Sequence, residues 1–192
     1  MNRVSLSSTG FYKTPKIHYD RAAGKGRPFF YFATGACVSE VIIDTLTGEY
    51  KTTRTDILQD VGASINPAID IGQIEGAFVQ GMGWLTTEEL VWNEQGRLLS
   101  NNPATYKIPA INDAPEDFRV ALVPDAPNHE RTIYNSKAVG EPPFMLGMAV
   151  WSALKDAVAS VGDYKVSPKL DTPATPERVL FAVEAVKAQE AK

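Results

Sequence analysis

The residue with the clearest chemical potential is Glu141, a single carboxylate between a glycine and two prolines in the stretch 136–146, SKAVGEPPFML. Proline restricts the residue before it to extended backbone, so Glu141 is predicted to be held rigidly outside the first turn of a following helix. A rigidly aimed, partly desolvated carboxylate could act as a general base. It could equally be a charge that stabilises a helix start, worth under about 1 kcal/mol. The residue types alone favour the helix-start charge.

A second candidate surface lies on a predicted helix that begins at Asn66-Pro67 and ends near Leu85. Asn is a good helix cap, and Pro suits the first helical position. At about 100° per residue, Gln73 and Gln80 point nearly the same way. Beside them lie three glycines, Gly72, Gly76 and Gly83.

This glycine and glutamine face has two interpretations. Each glycine costs a helix about 1 kcal/mol relative to alanine, so several on one face need a reason. The open space could admit a ligand, to which the two amides would donate and accept hydrogen bonds. It could instead let a neighbouring strand approach, with the glutamines at the surface. Periodicity alone favours this plain packing.

Hydrophobic patterns predict the elements that must position these residues. The predicted helix has a core-facing stripe formed by Ile71, Ile74, Phe78, Met82 and Leu85. Aromatic and β-branched residues around a Gly-containing turn predict a hairpin within residues 29–61. A second hairpin is predicted with its turn at residues 93–96, and a further short strand in DFRVALVP.

Two more helices follow the second hairpin. Pro142-Pro143 opens a helix that is apolar nearly all round to Leu154 and is therefore predicted to be buried. Thr175-Pro176 starts a last helix. Strands and helices mix without strict alternation, so we predict an α+β fold with hairpins packed against about three helices. We expect residues 1–28 to be an extended N-terminal segment and residues 29–192 to be one domain.

Composition narrows the function classes. Apolar residues make up 44% and charged residues 22% of the chain, as in ordinary globular proteins. A net charge of −4 without a basic cluster argues against a nucleic-acid partner. No apolar run approaches the roughly 20 residues of a membrane helix, and the stretch MNRVSLSSTG lacks the hydrophobic segment expected of a secretory signal.

The metal-binding and redox residues are few. Cys37 is the single cysteine, and it is predicted to be a buried, inert thiol in a reducing cytoplasm. His18 and His129 lie far apart in the sequence, so we predict no metal held by protein side chains. Lys137 could pair with Glu141 or a cofactor phosphate, but a solvated lysine is the preferred interpretation.

The stretch SKAVGEPPF resembles the signature around the catalytic glutamate of xanthine dehydrogenases and related molybdenum hydroxylases. Further stretches resemble the same family in the same order, from about Arg3 to Val158: VSLSSTGFYKTP, SEVIIDTLTGEY, RTDILQDVGASINPAIDIGQIEGAFVQGMGWLTTEEL, NNPATYKIPA and FRVALVPDAPN. The chain is therefore identified as resembling the C-terminal part of the molybdopterin-binding large subunit, a fragment of a larger polypeptide.

The resemblance implies an oxidoreductase that hydroxylates a purine, a related heterocycle or an aldehyde with a molybdenum–molybdopterin cofactor. It implies that Glu141 is the general base and that Gln73, Gln80, Val139 and Gly140 bind the cofactor. The N-terminal part of the subunit would complete the cofactor site. Iron–sulfur clusters and FAD would lie on other domains or chains, because a lone Cys37 cannot ligate a cluster.

The expected partners are therefore the rest of the molybdenum subunit, iron–sulfur and FAD subunits, and a purine or aldehyde substrate. We expect a homo-oligomer in the cytoplasm, with the chain inactive on its own. A hypothesis from another class is a non-catalytic remnant or interaction module that keeps the fold without binding cofactor. Molybdenum and pterin content distinguishes the two.

Overall fold

The computed structural model describes residues 3–190, which form two compact units divided between Phe32 and Ala33. The smaller unit contains an antiparallel pair of short strands, β1 (His18–Asp20) and β2 (Lys25–Arg27). The sequence had predicted only loop-like chain over residues 1–28, of which residues 1 and 2 lie outside the described residues. A turn with Gly24 at φ +62° joins the two strands, a conformation that glycine adopts without strain.

The larger unit is built on a three-stranded sheet in the order β3 (Gly35–Ile43), β4 (Tyr50–Gln59), β5 (Asp117–Leu122). The antiparallel pairing of β3 with β4 confirms the predicted hairpin. The short strand predicted in DFRVALVP is also confirmed, but it pairs parallel to β4. The second predicted hairpin is reduced to a single antiparallel bridge between Trp92 and Leu98 around its turn.

The larger unit has three α-helices, α1 (Pro67–Thr86), α2 (Met148–Ser160) and α3 (Pro176–Glu190). The first two pack on the sheet, and α3 packs on α2. The α+β prediction is therefore confirmed. Asn66 caps α1 as predicted, since its side chain accepts a hydrogen bond from the Ile69 amide at 3.4 Å. None of the helices described within residues 3–190 has the length and apolar character required to cross a membrane.

Three short 3₁₀ helices complete the described elements: Ile111–Asp113, Ile133–Asn135 and Pro142–Gly147. The helix predicted after Pro142-Pro143 thus starts as a 3₁₀ helix and becomes α-helical only at Met148. It buries one side rather than all sides, because Met145 and Met148 are exposed.

The core lies between one face of the sheet and the helices. The predicted stripe of α1 is confirmed, with Ile74, Phe78 and Met82 buried. The other helices each contribute a buried stripe: Val150, Leu154 and Val158 from α2, and Val179, Ala182, Val183 and Val186 from α3. Burial of such side chains is worth about 1.5–3 kcal/mol each, so this core holds α1 and α2 firmly against the sheet.

Backbone-to-backbone packing fixes α1 against the 3₁₀ helix Pro142–Gly147. A Cβ on Gly81 would overlap the carbonyl oxygen of Phe144 and lie 2.9 Å from its carbonyl carbon. A Cβ on Gly147 would lie 2.5 Å from the Met82 amide nitrogen. The two glycines therefore permit a contact that any side chain would prevent, and this contact carries the chain that follows Glu141.

The hydrogen bond between Tyr50 and the chain just before α3 predicts that folding stability depends on pH. Tyr50 donates a hydrogen bond to the Ala174 carbonyl at 2.9 Å, and burial raises the pKa of Tyr50 to about 12. An unfolded tyrosine ionises near pH 10, so between about pH 10 and 12 the unfolded chain loses a proton that the folded chain keeps. The corresponding stability is complete below about pH 10 and is lost as the pH rises toward 12.

We therefore expect Tyr50→Phe to flatten the decline in the free energy of unfolding over that pH window. Denaturant unfolding at a series of pH values measures how the free energy of unfolding declines in each chain. A variant whose decline is as steep as that of the parent chain would contradict the assignment.

Candidate functional site

The predicted site residues come from two elements that pack together, α1 and the loop before the 3₁₀ helix Pro142–Gly147. The side-chain oxygen of Gln73 lies 3.3 Å from the position that a Cβ on Gly140 would occupy. No other atom of the described chain outside the immediate neighbours of Gly140 comes within 4 Å of that position. Gln73, Gly140 and the adjoining Glu141 therefore share one surface.

The backbone of Glu141 differs from the prediction. Its dihedral angles are φ −111° and ψ −33°, in the right-handed helical region, so the predicted extended conformation is wrong. Glu141 caps the 3₁₀ helix, and its carbonyl accepts a hydrogen bond from the Phe144 amide at 3.0 Å. A φ of −111° is more negative than in a regular α-helix, and this difference relieves the steric clash between Glu141 and the ring of Pro142.

The position of Glu141 bears on its role. The regular α-helix begins only at Met148. The 3₁₀ helix Pro142–Gly147 precedes α2 without a break, and Glu141 is its N-terminal cap residue. The position of Glu141 therefore fits the helix-start charge as well as the general base.

The side chain of Glu141 is exposed to solvent. It makes no hydrogen bond or salt bridge with any residue in the described part of the chain. Lys137, the nearest cation in sequence, pairs instead with Asp60. The prediction of a solvated lysine is wrong, because the side chains of Lys137 and Asp60 are only 13% and 14% exposed, and charges buried to that extent need partners.

The other predicted cofactor contacts occupy different environments. Val139 packs against the core, whereas Gly140 is half-buried and Gln80 is exposed farther along α1. A Cβ on Gly72 or Gly76 would meet nothing within 4 Å. These two glycines therefore leave open space beside Gln73, as a ligand-binding face requires.

Gly83 departs from this pattern. A Cβ there would lie 2.6 Å from the ring of Pro109, so Gly83 serves packing within the chain. The predicted glycine face is thus divided. Its N-terminal part is open, and its C-terminal part follows the packing interpretation.

The exposed face of α1 carries no charged residue between Ile69 and Trp84. Ile69 and Trp84 are 60% and 46% exposed, and Gln73, Gly76 and Gln80 lie between them on the same face without a charge. A solvated helix face normally carries charged residues. The Trp84 ring also contacts the Phe144 ring, with centroids 5.0 Å apart and ring planes tilted by 52°. An uncharged, open face of this kind is suited to contact with a ligand or another part of a protein.

Free thiol chemistry does not contribute to this surface. Cys37 lies on β3 and is half-buried rather than fully buried. Burial raises the pKa of the Cys37 thiol, which keeps it protonated and unreactive at neutral pH. The inert character predicted for Cys37 therefore agrees with its environment.

A large cleft of about 820 Å³ lies elsewhere, next to Tyr50, Met82 and Thr86. None of the predicted site residues lines it. Within residues 3–190, no three His, Cys, Asp or Glu side chains are placed to hold a metal ion. The functional groups that the Gln73–Glu141 surface presents are side-chain amides and one carboxylate.

Sequence reasoning missed the residues that hold the Glu141 loop in place. Asp60, Gly62 and Asn128 contact the loop from the segments after β4 and β5. Gly62 is the one with a signal in the sequence, because it follows the predicted strand where a left-handed turn residue is common. A buried Asn or Asp carries no such signal, since both types are mostly exposed.

The fold is an α+β domain whose Gln73, Gly140 and Glu141 lie on two elements that pack together. Comparison with known protein families identifies the family to which this domain belongs. The family described as "Molybdopterin cofactor-binding domain" matches residues 1–115, and the chain belongs to this family. The matched range includes Gln73 and Gln80, whereas Glu141 lies after it.

Relatives with longer chains extend the comparison beyond residue 115. The chain is 54% identical over 182 residues to the xanthine dehydrogenase/oxidase of Mus musculus, with 92% of this chain and 14% of the relative covered. It is 50% identical over 193 residues to the xanthine dehydrogenase of Oryza sativa subsp. japonica, with 95% and 14% covered. The chain thus spans about one seventh of these relatives.

Among solved structures, the chain is similar to the quinoline 2-oxidoreductase of Pseudomonas putida 86. The TM-score is 0.70 and the identity 30%, with 79% of this chain and 19% of that chain covered. The relationship to xanthine dehydrogenases and molybdenum hydroxylases inferred from the sequence motifs is therefore confirmed.

Proposed function

We propose that this chain is the molybdopterin-binding domain of a xanthine dehydrogenase-like oxidoreductase. In this proposal Glu141 is the general base for hydroxylation of a purine, a related heterocycle or an aldehyde. Gln73, Gln80, Val139 and Gly140 form this domain's share of the cofactor site.

The observation that carries the proposal is the approach of Gln73 to Gly140, next to an exposed carboxylate without a counter-ion. The residues fit the group. Gly72 and Gly76 leave room for a ligand beside α1, and Gln73 and Gln80 offer amide donors and acceptors for a polar pterin.

Each residue has a defined task in this proposal. The amide of Gln73 orients the bound group by hydrogen bonds, and the missing side chain of Gly140 lets that group come close. Glu141 takes up and holds a proton at its carboxylate, on a backbone fixed by Pro142 and Pro143. When bound, the cofactor supplies the oxygen transfer and the two-electron redox chemistry.

The partners follow from the exposure of the site. Small-molecule sites bury about 70–90% of the ligand surface, and one helix face with one loop cannot do so. The rest of the molybdenum subunit would enclose the cofactor. Iron–sulfur and FAD domains would take the electrons, because the single cysteine of this chain cannot hold a cluster. The homo-oligomer, the cytoplasmic location and inactivity in isolation stay predictions.

Molybdenum and pterin content test this proposal. We expect the chain purified alone to lack stoichiometric molybdenum and the assembled subunit to contain it. Gln73→Ala should weaken retention of the cofactor about 2- to 10-fold, which is the loss expected from one hydrogen bond. Gln95→Ala is a matched control, because Gln95 is exposed in the turn at residues 93–96, away from α1.

Two outcomes would contradict the proposal. Stoichiometric molybdenum in the chain alone would show that no other part of the subunit is needed to enclose the cofactor. An assembled subunit that never contains molybdenum would favour the remnant or interaction module.

A further inference from the structure

We infer that the Asp60–Lys137 ion pair is a positioning device that fixes the loop carrying Glu141. This inference rests on the proposed function, because it assigns Lys137 and Asp60 to the presentation of the proposed base. It concerns residues that do not themselves touch the open surface.

The loop is anchored first by backbone contacts to the segment that follows β4. The Lys137 amide donates to the Val61 carbonyl at 2.8 Å, and the Ala63 amide donates to the Asn135 carbonyl at 3.0 Å. Gly62 has φ +67°, and a Cβ there would lie 2.6 Å from the Asn135 carbonyl oxygen. The two segments are therefore in direct backbone contact just before the Glu141 loop.

A buried asparagine adds a second set of bonds. Asn128 is 3% exposed, and its side-chain amide donates to the Ser136 carbonyl at 3.3 Å. The Thr132 hydroxyl donates to the same carbonyl at 2.6 Å. The Asn135 side chain donates in turn to the Asn128 carbonyl at 3.0 Å. Residues 135–137 are thus held from both sides.

The ion pair ties these contacts together. One carboxylate oxygen of Asp60 accepts the Gly62 amide at 2.8 Å, and the other pairs with the ammonium of Lys137. Asp60 therefore bridges its own turn and the loop. A partly buried pair of this kind specifies one arrangement of the two segments, because a Lys137 ammonium without Asp60 would be left partly buried and unpaired.

The chain beyond Glu141 is fixed independently by the contact of Phe144 with Gly81. Residues 138–143 separate the two anchors, Lys137 and Phe144, and the last two of them already belong to the 3₁₀ helix Pro142–Gly147. Six residues span at most about 20 Å when fully extended, so a fixed Lys137 limits the movement of Glu141. Release of Lys137 would lengthen the free segment and let the carboxylate move.

The pair also governs the charge near the base. Lys137 is occupied by Asp60, so it does not neutralise Glu141. A loop released from Asp60 would free an ammonium four positions before Glu141, where it could compete for the carboxylate. Position and charge therefore depend on the same contact.

Amide hydrogen exchange on the full chain tests the positioning without using activity. Lys137→Met and Asp60→Asn should raise exchange of the Ser136 and Lys137 amides at least 10-fold. Lys137→Arg keeps the charge and should restore protection. Lys51→Met is the matched control, because the Lys51–Glu116 pair is 71% and 60% exposed and lies away from the loop. Parental exchange of these amides in Lys137→Met would overturn the inference.

Steady-state kinetics of the molybdenum-loaded enzyme with xanthine give the second readout. We expect Lys137→Met to lower kcat about 10- to 100-fold, since a small displacement of a reacting group can reduce the rate by two orders of magnitude. KM should stay within about twofold, molybdenum content should be unchanged, and Lys137→Arg should recover most of kcat. If molybdenum content and kcat fell by similar factors and KM rose by a similar factor, the inference would be overturned in favour of a general structural role. Failure of the parental enzyme to turn over would contradict the proposed function, and the exchange result would still decide the positioning.

Discussion

Glu141→Gln is expected to lower turnover of the assembled, molybdenum-loaded enzyme by about 10²–10⁴-fold, or roughly 3–5 kcal/mol of activation free energy. Glutamine keeps the volume of the side chain and can form hydrogen bonds, but it cannot take up a proton. Cofactor content should be unchanged. Substrate binding should change far less than kcat, because the proton moves only on the way to the transition state. Reductive half-reaction kinetics measure the effect directly.

Glu94→Gln is the matched control for this experiment. Glu94 is an exposed glutamate in the turn at residues 93–96, away from α1 and the Glu141 loop. It makes no hydrogen bond or salt bridge within residues 3–190, so its replacement should leave the rate unchanged. A Glu141→Gln enzyme within a few-fold of the parental rate would instead leave Glu141 with only a structural role.

Gly81→Ala is expected to destabilise the chain by about 1–3 kcal/mol. The added methyl group would overlap the backbone of Phe144, which cannot move aside as a flexible side chain could. Alanine's higher helix propensity, worth about 1 kcal/mol, offsets only part of this loss. Denaturant unfolding of the full chain, followed by the helix signal, measures the change in the free energy of unfolding.

Gly76→Ala, in the same helix, should change the free energy of unfolding in the opposite direction. Nothing lies within 4 Å of a Cβ at that position, so the substitution should stabilise the chain by about 0.5–1 kcal/mol. A Gly81→Ala chain as stable as Gly76→Ala would contradict the close approach of α1 and the 3₁₀ helix.

The two glycines also bear on function. Gly81 is explained by packing within the chain, but Gly76 lowers helix stability without any contact in the described residues that requires it. A helix that keeps a destabilising residue on an open, uncharged face supports the proposal that another group approaches there. The same face presents Gln73 and Gln80.

Local interactions made several elements predictable from the sequence. Asn66 and Pro67 define the start of α1 by capping and by a fixed φ, and the 3.6-residue period gives its buried side. The hairpin of β3 and β4 follows from alternating β-formers around a turn. The family motifs likewise singled out Gln73 and Glu141 as candidate site residues.

Tertiary contacts decided the rest, because they join residues that are far apart in sequence. Asp60 and Lys137 are 77 positions apart, and only folding brings the two partly buried charges together. The parallel pairing of β5 with β4 likewise depends on the chain between them. The local rule for residues before proline failed at Glu141, since the 3₁₀ helix held against Gly81 imposes its own dihedral angles. Propensities describe one residue and its neighbours, whereas the Gln73–Gly140 approach exists only once α1 and the loop are packed on the same core.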